Sequence, residues 1–452
     1  MQDVMTQALK GHNADYLELR LESLDGTRIS YRGKELDDIS SGNSNGGCAR
    51  AYVNGAWGFV TFTKTNDLRS KVALAVQQAR LANGDGGSII SGDPIVSITP
   101  PVKKIDPFTI PLKSKINQLE EYVDSLWSVS SLQSTSLNYG DRKRKTYFAN
   151  SEGSYIEQER IDVTFGARAV ARKDGDVQQY GISVGSLGDY GIILNRAEEM
   201  EVISQKAVDL LNAPQLTGGE YTVICDPILA GVFAHEAFGH LSESDFVYEN
   251  DSMKEIMVLG RKFGGEHLNI VDGASVPELR GSYSYDDEGT PAQKTQLIRE
   301  GNLVGRLHSR ETASKMNEKV TGNARAIDFR HPPIVRMTNT YIEPGNATFE
   351  ELISEVKDGV YAKNWYGGMT SMEMFTFSAG EAYRIRNGKI EELVRPVVLS
   401  GNVFTTLENL DAVANDLDMN EGGGCGKGGQ SPLPVSNGSP HIRIQNCLVG
   451  GA

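Results

Sequence analysis

Cys48-Ala49-Arg50-Ala51-Tyr52-Val53 has an echo about 118 residues later, in Gly166-Ala167-Arg168-Ala169-Val170-Ala171. The neighbourhoods of the two segments match as well. Around the first, Tyr16-Leu17-Glu18-Leu19-Arg20-Leu21-Glu22 alternates with period two, and Arg28–Tyr31 and Ala49–Val53 read as further strands. The turn-rich Ser40–Gly47 joins these two, Asn54-Gly55 predicts a hairpin to Trp57–Thr63, and a helix is expected over 66–82. Around the second, Ser136–Tyr139, Lys145–Asn150 and Ser154–Glu159 are strand-like. A turn at Lys173-Asp174-Gly175 and a further strand follow, then a helix over 196–211. Two related β-rich units, each closed by a helix, are the expectation.

Gly84–Lys104, rich in Gly, Ser and Pro, reads as a linker, and Ala213–Gly219 as a second boundary. The expected division is therefore 1–104, 105–215 and 216–452. The last unit opens with a strand, Glu220–Cys225. Asp226 as N-cap and Pro227 at the first helical position then start a helix running to about Leu241. Short strands follow at 296–307, 334–341, 367–386, 389–398 and 442–449. The class is α+β, mostly antiparallel sheets with flanking helices, with two related N-terminal units and a larger C-terminal domain.

The 452 residues, 39% hydrophobic and 23% charged, suit a globular protein with sizeable cores. No apolar run reaches the roughly 18–20 residues of a membrane span, and Met1–Lys10 lacks the apolar core of a signal peptide. A cytoplasmic protein is expected. With 45 basic against 59 acidic side chains, a net charge of −14 argues against direct nucleic-acid binding. The basic run Arg142-Lys143-Arg144-Lys145 reads as a solvated turn between strands. Four cysteines without C-x-x-C spacing are expected to be reduced. Cys48, Cys225 and Cys447 read as small core residues.

The chemistry concentrates in His235-Glu236-Ala237-Phe238-Gly239-His240. It resembles H-E-x-x-H, in which two histidines four apart share a metal, but holds one residue more. On a regular α-helix, positions five apart diverge by roughly 140°. A shared ion therefore predicts a widened, π-helical turn near Phe238-Gly239, which Gly239 makes less costly. Glu236 would then be the general base, taking a proton from attacking water.

A catalytic zinc usually has three protein ligands and an open position. Candidates for the third are His267, His308, His331, His441, Cys425, Glu243 and Asp245. Cys425 stands out in Glu421-Gly422-Gly423-Gly424-Cys425-Gly426-Lys427-Gly428-Gly429-Gln430. The glycines allow close approach, and Lys427 or a metal would favour the thiolate. A flexible loop with an incidental cysteine is the other reading. A phosphate-binding loop is excluded because Gly428, not Ser or Thr, follows Lys427.

Beyond the histidine motif, Asp286-Asp287-Glu288-Gly289-Thr290-Pro291, Thr321-Gly322-Asn323-Ala324-Arg325, Arg336-Met337-Thr338-Asn339-Thr340 and Cys425-Gly426-Lys427-Gly428-Gly429-Gln430 run in order along the C-terminal unit. Together they resemble the TldD/PmbA family, in its TldD-like metalloprotease branch. The resemblance implies metal ligands at His235, His240 and Cys425, with Glu236 as base, and zinc as the ion, with iron as the other candidate. It implies peptide substrates, unfolded or small, and pairing with a TldE/PmbA-like paralogue as a heterodimer; a homodimer is the alternative. After His240, Leu241-Ser242-Glu243-Ser244 departs from the family pattern, which Asp245-Phe246 restores. Asp287 and Glu288 either line the cleft and bind a peptide amine or form a surface turn. Asn323 and Arg325 either meet substrate or an oxyanion, or bond loop carbonyls. His308 and His331 are oxyanion stabilisers if they reach the metal. The competing function is a non-catalytic, protein-binding regulatory subunit with a structural metal, in line with the family's older association with DNA gyrase modulation.

Overall fold

In the computed structural model, which describes residues 1–82 and 84–451, the two repeated segments lie on equivalent strands of one continuous sheet. Helix α1 (Gln2–Leu9) is followed by strands β1 (Tyr16–Arg32), β2 (Glu35–Val53) and β3 (Ala56–Phe62), then helix α2 (Leu68–Leu81) and strand β4 (Val96–Thr99). Helix α3 (Leu112–Leu126), strands β5 (Leu132–Asn150), β6 (Tyr155–Lys173) and β7 (Asp176–Leu187), and helix α4 (Ala197–Asn212) make the second unit. The order is β3-β2-β1-β5-β6, with β7 and β4 both beside β6. β1 and β5 pair antiparallel from Glu18↔Asn150 to Arg32↔Ser136, so the units meet edge to edge. One face is apolar. Leu19, Ala49, Ala51 and Val60 pack with the residues of α1 and α2, and Leu137, Tyr139, Val163 and Phe165 with those of α3 and α4.

Three expectations are corrected. Ser40–Gly47 is not a turn but part of β2, held residue by residue against β1 from Arg28↔Ser40 to Leu21↔Gly47. A continuous ladder overrides local turn preference there. The 84–104 segment contains β4, which adds a parallel pairing along Tyr155–Gln158. Arg142–Lys145 is no solvated turn. It lies within β5, paired on both sides by β1 and β6, and Arg144, half-buried, meets the carboxylates of Glu22 and Asp287. Helices α1 and α3 have no counterpart in the sequence reading.

Strand β8 (Gly219–Cys225) begins the C-terminal unit. It lies between the strands Asp358–Ser371 and Ile442–Gly451 in a seven-stranded sheet. Because Asp358–Ser371 also pairs with Met374–Arg386, five strands close a ring. A six-stranded sheet containing Ile270–Gly273, Asn339–Ile342 and Ser436–Ser439 stands beside it. Helix α5 (Pro227–Phe233) belongs to the same core. Phe233 meets Phe375 and Phe377 edge-on at 5.4 and 6.2 Å. No helix among the described residues is long and apolar enough to cross a membrane.

Candidate metal centre

Asp226 caps α5 through the Leu229 N–H at 2.9 Å, and its other oxygen accepts from the Asn364 N–H at 3.0 Å. The helix is thereby fixed against the hairpin of Asp358–Ser371 and Met374–Arg386. Past Phe233 the winding changes: Ala234–Gly239 is π-helical, and the His240 N–H donates to the His235 carbonyl. Five-residue winding brings His235 and His240 towards one face, with ring centroids 5.3 Å apart. Gly239 has ordinary right-handed angles, so its conformational freedom is not what the turn requires. What matters is space, because a Cβ there would sit 2.1 Å from Met337 Sδ.

The third member arrives on a hairpin. Gly424–Lys427 pairs with Gln430–Pro434, and Gly428 and Gly429 at the tip have φ of +57° and +75°, the left-handed pair of a tight two-residue turn. Arg336, fully buried, donates to the Cys425 and Gln430 carbonyls at 2.8 and 3.1 Å and so clamps both strands. Ligand atoms of His235, His240 and Cys425 lie within 4.8 Å of one another, with Cys425 Sγ 3.5 Å from His240 Nε2. Burial alone would push the Cys425 thiol up, but the His235 and His240 imidazoles bring it down to about 4. Burial likewise disfavours charge on His240, yet Cys425 and Glu243 raise it to about 10. Burial would raise Glu243 too, but Lys427 and His240 hold it at about 2.

This donor set fits a divalent ion. Two imidazoles and a thiolate are zinc-type ligands. His235 Nδ1 is also buried with no hydrogen-bond partner, whereas an ordinary core imidazole is satisfied at both nitrogens. On the outer side of His240, Nδ1 lies 3.0 Å from Glu243 Oε2. Such a carboxylate orients a ligand ring and fixes its tautomer. Lys427, two residues beyond Cys425, reaches Glu243 at 3.1 Å and Asp245 at 2.6 Å, and donates to the Val335 carbonyl. Glu236 Oε2 stands 4.0 Å from His240 Nε2. It lines a cavity of about 330 Å³ together with His240, Leu241, Glu243, Phe246, Thr370, Met372, Gly426 and Lys427.

The other candidates lie elsewhere. His267 Nε2 meets the Leu410 carbonyl, His308 lies between Thr312 and Glu318, His331 meets Asp328, and His441 lies between Asp416 and Tyr361. None of them joins the cluster, so His308 and His331 are not placed to stabilise an oxyanion there. Glu243 and Asp245 lie outside the three-donor cluster, Glu243 against His240 and Asp245 against Lys427. Asn323 donates to Asp272 and the Arg336 carbonyl, and buried Arg325 to the Met337 and Pro434 carbonyls, so both hold loops. Asp287 and Glu288 are neither in the cavity lining nor in a surface turn. Asp287 meets Arg20 at 3.1 Å and Arg144 at 3.0 Å, and Glu288 meets Arg50 at 3.0 Å, all side chains of the N-terminal sheet. Arg336 was not among the expected site residues, and Lys427, expected to favour the Cys425 thiolate, instead pairs with Glu243 and Asp245 while the two imidazoles lower the thiol.

Two imidazoles and a thiolate gathered beside a carboxylate, on an α+β scaffold, are the donor set of a metal-binding protein. Models of the PmbA/TldA metallopeptidase match domain 1 over residues 17–81, the central domain over 105–213 and the C-terminal domain over 218–451. The chain belongs to the PmbA/TldD family. It is 45% identical to a metalloprotease of Synechocystis sp., covering 97% of this chain and 95% of that one. It is 30% identical to a zinc metalloprotease TldD homolog of Saccharolobus solfataricus, over 97% of each. The crystal structure of TldE from Thermococcus kodakarensis superposes over the whole of both chains with a TM-score of 0.76. At 17% identity that likeness shows the fold alone.

Proposed function

We propose that this protein is a zinc-dependent peptidase acting on unfolded or small peptides, with Glu236 as general base. The observation that carries this reading is the joint placement of His235, His240 and Cys425 within ligand distance of one another, beside a cavity that Glu236 also lines. A bound divalent ion would supply Lewis-acid activation of water and of the scissile carbonyl. Glu236 takes the proton of the attacking water and passes it to the leaving amine. Glu243 and Lys427 keep His240 oriented throughout. Three protein donors leave room for substrate, which favours catalysis over a closed structural site.

The decisive test is Glu236→Gln. Metal content, measured on natively purified protein, stays as in the wild type, while cleavage of an unstructured peptide falls by about 10²–10⁴-fold. A chelator abolishes wild-type cleavage, and zinc restores it. Retained cleavage by the purified variant would sink the assignment. A TldE-like paralogue as partner is part of the same proposal, supported by the shared fold of TldE; native mass spectrometry of the purified complex separates that from a homodimer.

A further inference from the structure

We propose that Met372, with Leu241 and Phe246, forms a pocket that receives an apolar side chain of the peptide next to the bond to be cut. This rests on the hydrolytic reading above. Met372 occupies the tip of the hairpin formed by Asp358–Ser371 and Met374–Arg386, with φ +54°. Glycine and asparagine are the usual residues in that left-handed region. A bulky residue held there, 55% exposed, disfavours the fold locally, and such strain collects at functional sites. Its side chain lines the same cavity as Glu236 and His240. The hairpin is not adrift: Phe375 packs against Phe233 in the helix that leads into His235.

The cavity selects by charge as well as by shape. Lys427 is paired with Glu243 and Asp245 and so is not free to receive an acidic side chain, which Glu236 would repel. Leu241, Phe246 and Met372 supply apolar surface, and the unbranched thioether adapts to side chains of different shape. The register sets Met369 and Met374 on the opposite face of the hairpin from Thr370, which lines the cavity. These two outer methionines are natural controls.

The test uses full-length protein and short unstructured peptides identical except for Leu, Asp or Lys at one position. Cleavage is read by mass spectrometry, and binding is read separately on the Glu236→Gln background. The expected result is a preference of about tenfold or more in kcat/KM and in Kd for Leu over Asp and Lys. Met372→Ser removes most of that preference, and Met374→Ser leaves it unchanged. Equal handling of the three peptides overturns the pocket, as does a preference for Lys or a uniform loss across all three in Met372→Ser. So does a Met374→Ser variant that loses the preference together with its oligomeric state, because the hairpin would then be a subunit contact. Apolar-selective binding that needs Met372 without wild-type cleavage would sink the hydrolytic reading and leave the pocket standing.

Discussion

Gly239 and Met337 together decide whether two histidines five residues apart can share an ion. The π-helical turn was legible in the spacing on the condition that both histidines serve one ion, since a regular helix would have sent the rings apart. The reason for the glycine was not, because it lies in a contact with a residue 98 positions away. Met337 is fully buried and its N–H lies 3.3 Å from Glu243 Oε1, so it has little freedom to withdraw. Gly239→Ala is therefore expected to overpack this contact and destabilise the fold by about 1–3 kcal/mol. Metal affinity should fall with it, because the turn carrying His240 is displaced. Chemical unfolding and chelator competition measure the two effects. A variant of wild-type affinity would show that the close approach is incidental to the metal centre.

Two elements, the widened turn and the Cys425 hairpin, carry the halves of the ligand set, and Lys427 ties them. It leaves the hairpin two residues after Cys425 and ends on Glu243 and Asp245, just beyond His240. Lys427→Met should leave Glu243 buried without its cation and His240 less firmly oriented. The expectation is a 10–100-fold loss of metal affinity, the usual effect of removing outer support from a ligand. Competition against a chelator of known affinity measures it. Unaltered affinity would reduce Lys427 to a surface contact. At this scale the sequence is legible where one pattern dominates, as over Tyr16–Glu22 or at the Asp226-Pro227 helix start, although Tyr16–Glu22 and Arg28–Tyr31, expected as separate strands, are one strand. It failed where partners overrode local preference. Ser40–Gly47 has turn composition and yet is strand, because β1 offers an unbroken row of hydrogen-bonding groups. Arg142–Lys145 has surface composition and yet lies mid-sheet, because Glu22 and Asp287 neutralise Arg144.

Across the whole molecule, the period-two pattern of β1 serves two masters. Leu17, Leu19 and Leu21 face the helices, while Glu18, Arg20 and Glu22 face the C-terminal unit and are just as buried. Alternation predicted one apolar and one polar face; it could not say that the polar face would be covered by Asp287 and Glu288. For the same reason those two acids looked like substrate contacts, since a charged turn in a family-like motif carries no mark of which surface it meets. The network they form has a pH signature. Burial alone would raise Asp287, but Arg144 and Arg20 lower it from 3.8 to about 2. A carboxylate depressed on folding stabilises the protein above its unfolded value and loses that contribution as pH falls through its folded value. Between pH 3.8 and about 2, Asp287 should thus give up about 2 kcal/mol of stability. Asp287→Asn should cost about 3 kcal/mol at neutral pH, because Arg20 stays buried, and Arg144 half-buried, with less counter-charge. Urea midpoints for wild type and variant, taken from neutral pH down to about 2, test both statements. The gap between the two proteins should narrow as the medium becomes acid; a constant gap would show that Asp287 does not hold the N-terminal sheet to the C-terminal unit by its charge.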